Sequence, residues 1–173
     1  MGYRLFIRQD ENAESPREWD NLGTMYCKHG RYNLGDEDAQ PVKLEPKDYI
    51  WLPLYLYDHS GITMSTTPFS CPWDSGQVGY IYVSKAKVRE EYSCRRISES
   101  IRKRVLSVLR AEVKTYDQYL TGDVYGYILY RDEEDGAEIQ EDTCWGFYGN
   151  DPNVNGMSDS LPVPVKDCEL VYN

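Results

Sequence analysis

The first residues that could do chemistry are Asp58-His59-Ser60, which combine a carboxylate, a base and a nucleophile. Adjacent residues in a turn point their side chains in different directions, so this run alone does not predict a catalytic triad. His59 could instead act as a base with a partner further along the chain, such as Asp74 or Cys71. One hypothesis is therefore a small enzyme that uses His59, although the sequence as a whole favours a protein that is not an enzyme.

The cysteines and histidines do not follow the spacing of a metal site. The nearest pair is Cys27 and His29, and the chain has five widely spaced cysteines and two histidines. Structural zinc sites usually combine two close pairs of ligands. The sequence also lacks a P-loop, a Gly-rich dinucleotide fingerprint, GxSxG and HExxH. We therefore predict no metal, no cofactor and no catalytic residue, with reduced thiols as in a cytoplasmic protein.

An acidic run near residue 135 offers a different kind of chemistry. Strands rise about 3.3 Å per residue and duplex DNA carries one charge per roughly 1.7 Å, so acids along a hairpin could approximate a row of phosphates. Such a surface would attract the basic channel of a nucleic-acid-binding protein. The alternative is a solvated hairpin tip that keeps the protein soluble. The acids of this run are Asp132, Glu133, Glu134, Asp135, Glu138, Glu141 and Asp142, and the acidic loop Asp36-Glu37-Asp38 could join the same face.

Aromatic residues accompany these acids. The chain has 16 Tyr, 4 Trp and 3 Phe, a composition that suits either a tyrosine-rich sheet packed on a helix or an exposed recognition face. Aromatic side chains often provide the energetic centre of a protein interface. The expected contact anchors beside the acidic run are Tyr125, Tyr127, Trp145 and Tyr148.

The elements that position these residues follow from periodicity. Apolar steps of three and four predict an amphipathic helix over about 98–120, and a serine cap predicts a short helix over 84–92 before it. The longest apolar stretch, 49–57, predicts a strand buried on both faces, with Pro53 at a bulge or an edge. The resulting fold class is α+β: one domain over 1–173, with a mostly antiparallel sheet packed against the long helix. Further strands are predicted at 3–8, 24–27, 62–66, 78–83, 124–130, 140–148 and 168–172.

Charge and hydropathy narrow the functional classes. The formal charge is −10, which argues against nucleic acid binding over the whole surface. No apolar run reaches the roughly 18 residues of a membrane span, and the N-terminus lacks a secretion signal, so we expect a cytoplasmic protein without membrane contact. In contrast to the acidic chain as a whole, the segment 84–120 has a net charge of +5. Its bases either line a solvated helix face or bind nucleic acid or a replication partner; they include Arg95, Arg96, Arg102, Lys103, Arg104 and Arg110.

Four segments carry a resemblance that spans nearly the whole chain. They are DNLGTMYCKHGRYNLGD, LPLYLYDHSGITMSTTPFSCPWDSGQVGYIYVSK, EVKTYDQYLTGDVYGYILY and DTCWGFYG. In these segments the chain resembles a group of small acidic proteins carried by bacteriophages and mobile elements. The resemblance assigns no functional residue to this chain.

By analogy, small acidic proteins of such elements resemble inhibitors of host defence, including anti-CRISPR proteins and restriction inhibitors that imitate DNA. The leading hypothesis is thus a phage-encoded protein that binds a bacterial defence nuclease, such as a Cas effector, and blocks its nucleic-acid channel. This hypothesis predicts no direct binding to nucleic acid. The alternatives are a nucleic-acid or replication-partner binding protein that uses the basic segment 95–110, and the small enzyme that uses His59. The oligomeric state is not set by the sequence.

Overall fold

The computed structural model describes residues 2–133 and 137–172. The chain forms two compact units: unit 1 comprises Met1–Glu14 and Gly122–Asn173, and unit 2 comprises Ser15–Thr121. The predicted α+β class, with mostly antiparallel strands and one long helix, is confirmed. The strands form two four-stranded sheets rather than the one sheet expected. The single domain over 1–173 stays a prediction.

Unit 2 contains the long helix and an antiparallel sheet. The helices begin where the sequence predicts, because serine hydroxyls cap them: the Ser84 hydroxyl accepts from the Lys87 N–H, and that of Ser98 accepts from the Ile101 N–H. The strands are β2 (Thr24–Cys27), β3 (Tyr49–Asp58), β4 (Ile62–Ser65) and β5 (Ser75–Ser84), in the order β2-β5-β3-β4. The helices are α1 (Lys85–Glu91) and α2 (Glu99–Leu120), and a 3-10 helix spans Pro16–Glu18.

The core of unit 2 lies between α2 and one face of this sheet. Side chains alternate along β3, so that Ile50, Leu54 and Leu56 are buried while Trp51 is 38% exposed. The prediction that this strand is buried on both faces is therefore wrong, because α2 covers one face only. Pro53 lies where β4 does not reach, just before a register shift. The expected edge or bulge position is confirmed.

The other face of the same sheet carries tyrosines that pack on one another. The ring centroids of Tyr80 and Tyr82 are 5.8 Å apart, and those of Tyr49 and Tyr82 are 5.6 Å apart. The Tyr80 hydroxyl also bonds to the backbone of Val42, in the loop before β3. This part of the tyrosine content therefore has a structural explanation, the tyrosine-rich sheet packed on a helix.

Unit 1 is built on a second sheet in the order β7-β6-β1-β8. Its two antiparallel pairs are β1–β6 and β6–β7, whereas β8 runs parallel to β1. Its smaller core consists of Leu5, Ile7, Tyr127, Leu129 and Met157. The elements are β1 (Tyr3–Gln9), β6 (Val124–Asp132), β7 (Glu138–Tyr148), the short α3 (Met157–Ser160), a 3-10 helix (Val165–Asp167) and β8 (Cys168–Tyr172). The strand β7 is an edge of this sheet.

Candidate functional site

Two arginines form ion pairs with the acidic hairpin, which comprises residues 132–142 at the junction of β6 and β7. The guanidinium of Arg4 lies 2.7 Å from Asp132 and also pairs with Glu138. Arg131 lies 2.6 Å from Glu133 and pairs with Glu141 as well. These carboxylates therefore do not form a free row of charges, because each arginine lies between two of them. Two more predicted acids, Glu134 and Asp135, fall outside the described residues.

Two predicted partner-binding residues, Tyr127 and Asp142, contact each other instead. The Tyr127 hydroxyl donates to Asp142 at 2.6 Å, and its ring is 1% exposed in the core of unit 1. Burial raises the pKa of Tyr127, and the Asp142 carboxylate raises it further. The prediction that Tyr127 is a surface anchor is wrong: alternation along β6 turns its side chain toward the core.

The remaining predicted anchors lie at or near the surface. Trp145 is 45% exposed on β7, while Tyr125 and Tyr148 are half-buried. The position of the Trp145 indole depends on Gly126 of the neighbouring strand, because a Cβ there would overlap the indole ring. Ile139, also on β7, is 43% exposed and was missed by sequence reasoning. The sequence feature that could have indicated Ile139 is an isolated apolar residue within the acidic run.

The basic segment 95–110 is exposed. Arg95 and Arg96 lie between α1 and α2, and the other bases lie on α2. None of the six forms an ion pair with another described residue of unit 2. Two carboxylates further along the helix are engaged elsewhere: Glu112 pairs with Arg17 at 3.3 Å, and Asp117 accepts from the Thr63 hydroxyl at 2.6 Å. The segment therefore presents cationic charge to solvent.

The side chains of Asp58 and His59 diverge, as the sequence predicts for neighbours in a turn. Asp58 pairs with Arg31, whereas the Nδ1 of His59 lies 3.4 Å from Asp74. The Cys71 thiol donates to the same Asp74 carboxylate at 3.6 Å. The Asp74 carboxylate therefore orients the His59 imidazole. The Cys71 thiol bonds to this carboxylate and not to the imidazole, whereas nucleophilic catalysis needs a thiol in contact with its base. The small enzyme that uses His59 stays a prediction.

The loop residue Asp36 belongs to unit 2, whereas the acidic hairpin belongs to unit 1. It pairs with Arg17 at 2.6 Å in unit 2, where the Arg17 side chain is only 4% exposed. Its carboxylate also accepts from the Met25 N–H at 2.9 Å. This carboxylate serves to hold the start of β2, and the hypothesis that the loop Asp36-Glu37-Asp38 joins an acidic face stays a prediction.

Within residues 2–133 and 137–172, no group of three or more His, Cys, Asp or Glu is placed to hold a metal ion. All five cysteines are free thiols. Burial raises the pKa of Cys27 to about 12, with the Asp36 carboxylate as a second cause. No described helix combines the length and the apolar character needed to cross a membrane.

Comparison with known proteins does not add to this geometry: no family model, curated protein or solved structure matches the chain.

Proposed function

We propose that this protein is an acidic binding protein that inhibits a bacterial defence nuclease, such as a Cas effector, by occupying its cationic nucleic-acid channel. The observation that carries the proposal is the division of charge between the two units. Unit 1 has fifteen acidic and four basic residues, a net charge of −11, whereas unit 2 has fourteen acidic and fifteen basic residues, a net charge of +1. The site of action would be the bacterial cytoplasm.

The negative charge of unit 1 persists after its internal ion pairs are counted. Arg4 and Arg131 are two of its four bases and are already included in the net charge. The paired hairpin therefore differs from a literal copy of a phosphate row, but it belongs to a unit with a large excess of acids. Such an excess accelerates encounter with a cationic cleft and orients the approach.

Apolar side chains on β7 would supply the short-range contacts. Trp145 and Ile139 lie on this edge strand, each more than two-fifths exposed. Interfaces usually gain most of their binding energy from a few such side chains surrounded by polar ones. Steering by the acids and anchoring by these two residues are separable contributions, and each can be tested.

The proposal predicts that reversing charge in the hairpin weakens inhibition more than the same change elsewhere. The variant Glu133→Lys/Glu134→Lys/Asp135→Lys raises the net charge of unit 1 by six, from −11 to −5. We expect at least a tenfold higher inhibitory concentration in a DNA-cleavage assay with the nuclease recovered from bacterial lysate, and a flatter salt dependence.

A matched control makes the same charge change in unit 2. The variant Asp20→Lys/Glu37→Lys/Asp38→Lys replaces three acids outside the hairpin, all of them exposed. It should inhibit about as well as the wild type. Equal loss in both variants would show a non-specific charge effect, and unchanged inhibition by the hairpin variant would end the proposal.

A second candidate function, nucleic-acid binding, is favoured by the basic segment 95–110. Its six bases lie at the surface, and none is paired within the described residues of unit 2. A gel-shift experiment with single-stranded RNA and duplex DNA separates the candidates, because the first predicts no direct binding. Under the second, Arg102→Gln/Lys103→Gln/Arg104→Gln should abolish the shift and Lys43→Gln/Lys47→Gln should not.

A further inference from the structure

We propose that a polar pocket in unit 2 binds a nucleoside phosphate, a ligand that neither proposed function requires. The pocket has a volume of about 430 Å³, within the range of small-molecule sites and sufficient for one nucleotide. Its walls are two chain segments, residues 28–31 after β2 and residues 73–78 at the start of β5, and Leu56 and Asp58 complete the lining. All of these residues belong to unit 2.

One wall of the pocket is cationic. Lys28, His29 and Arg31 all line the pocket. The Lys28 ammonium has no ion-pair partner among the described residues of unit 2, and the Arg31 side chain remains 70% exposed although it pairs with Asp58. The His29 ring is held by stacking on Tyr32, with centroids 5.1 Å apart. A phosphate bound between Lys28 and Arg31 would contact two cations.

The second lining segment, residues 73–78, carries an exposed indole. Trp73 is 91% exposed, so almost none of its ring is packed against the protein. An aromatic side chain that is exposed to water makes few stabilising contacts, whereas stacking on a planar ring is favourable. Base stacking on an aromatic side chain typically changes affinity by about tenfold or more. A planar base is therefore the group that this wall fits.

The rest of the lining selects against simpler ligands. The carboxylates of Asp58 and Asp74 would repel a bare anion, but they can accept hydrogen bonds from sugar hydroxyls or base amino groups. A purely apolar ligand is disfavoured because most of the lining is polar. Phosphate, sugar hydroxyls and a flat base together match the cations, the carboxylates and the indole.

Two glycines, Gly30 and Gly76, are among the lining residues of the pocket. A Cβ at Gly30 or Gly76 would meet no atom within 4 Å, so both positions border empty space. Gly76 lies in β5 opposite Leu56, where a β-branched residue suits the backbone. The substitution Gly76→Val therefore adds bulk at a lining residue without a clash at its Cβ, which gives a test that is independent of charge and of stacking.

The experiment is calorimetric titration of the full chain with AMP and CMP at low salt, with adenosine and inorganic phosphate as separate arms. We expect saturable binding of the nucleotides and clearly weaker binding of adenosine or phosphate alone. A short oligonucleotide as a further arm distinguishes a free nucleotide from the end of a nucleic-acid chain. Trp73→Ala should lower nucleotide affinity at least about tenfold, with partial recovery in Trp73→Phe.

Variants on the other walls complete the test. Lys28→Gln should weaken binding and reduce its salt dependence, and Gly76→Val should abolish it. The matched controls Lys47→Gln and Trp19→Ala lie outside the pocket and should bind as the wild type does. No saturation by either nucleotide, equal binding of phosphate and AMP, or unchanged affinity in Trp73→Ala would each overturn the proposal. Circular dichroism of every variant checks the fold, and Gly76→Val decides the outcome if Trp73→Ala is unfolded.

Discussion

At the scale of single residues, the cluster around Arg17 shows how buried charge is tolerated in unit 2. Its guanidinium bonds to Asp36 at 2.6 Å, to Glu112 at 3.3 Å and to the Gly23 carbonyl at 2.7 Å. Removing one member of such a group leaves the others charged and unpaired, which typically costs about 3–5 kcal/mol. The same Asp36 carboxylate acts on Cys27, and so the cluster also sets the chemistry of a thiol.

The raised pKa of Cys27 predicts a specific loss of stability at alkaline pH. An unfolded thiol ionises near pH 8.5, whereas the folded one has its pKa at about 12, so folding keeps the proton bound between these values. The contribution is complete below about pH 8.5 and is lost as pH rises toward 12. We expect the free energy of unfolding in urea to fall by about 2 kcal/mol more in the wild type than in Cys27→Ala between pH 8 and pH 10.5.

The control for this measurement is Cys94→Ala, which changes a thiol between α1 and α2. Its pH profile should run parallel to that of the wild type. Parallel profiles for Cys27→Ala and the wild type would contradict the argument.

At the scale of elements, the β6–β7 pair depends on a close approach between Gly126 and Trp145. Because a Cβ at Gly126 would overlap the indole, Gly126→Ala must displace Trp145 or separate the strands. We expect a cost of about 1–3 kcal/mol in the free energy of unfolding and a shift in tryptophan fluorescence. Gly76→Ala is the control, since it adds the same methyl group in open space and should change stability by less than about 0.5 kcal/mol. Equal stability of the two variants would refute the packing argument.

Most helices and strands could be predicted from the sequence, whereas the pairing of the strands could not. Helix α2 was predicted because its periodicity and its Ser98 cap are local signals. The division into two sheets depends on pairings such as Tyr3 with Arg131, which local patterns do not encode. The acidic hairpin shows the same limit: composition reveals its carboxylates, but the pairing of Arg4 with Asp132 joins residues 128 positions apart. For the same reason, the sequence offers Asp74 only as one of several partners for His59, and the contact itself is visible only in the folded chain.

At the scale of the whole molecule, the overall charge of −10 hides a sharp division. All of the excess acid belongs to unit 1, although that unit is built from two separate segments of the chain. Summing the charges of consecutive residues reveals the acidic C-terminal segment. The first fourteen residues become part of the same unit only through the pairing of β1 with β6 and β8. Both proposed binding functions follow from this division, since one uses the acids of unit 1 and the other the bases of unit 2.

The same division predicts that salt stabilises the two units unequally. Carboxylates in a unit of net charge −11 repel one another, and salt screens this repulsion, while a unit of net charge +1 gains little. Hydrogen exchange followed by mass spectrometry should therefore show slower exchange of the β1 and β6 amides in about 0.5 M than in about 0.02 M sodium chloride. The β3 and α2 amides serve as the internal control and should change less than about twofold. Equal slowing in both units would indicate a general salt effect, and faster exchange in β1 and β6 would show that the pairs of Arg4 and Arg131 outweigh the repulsion.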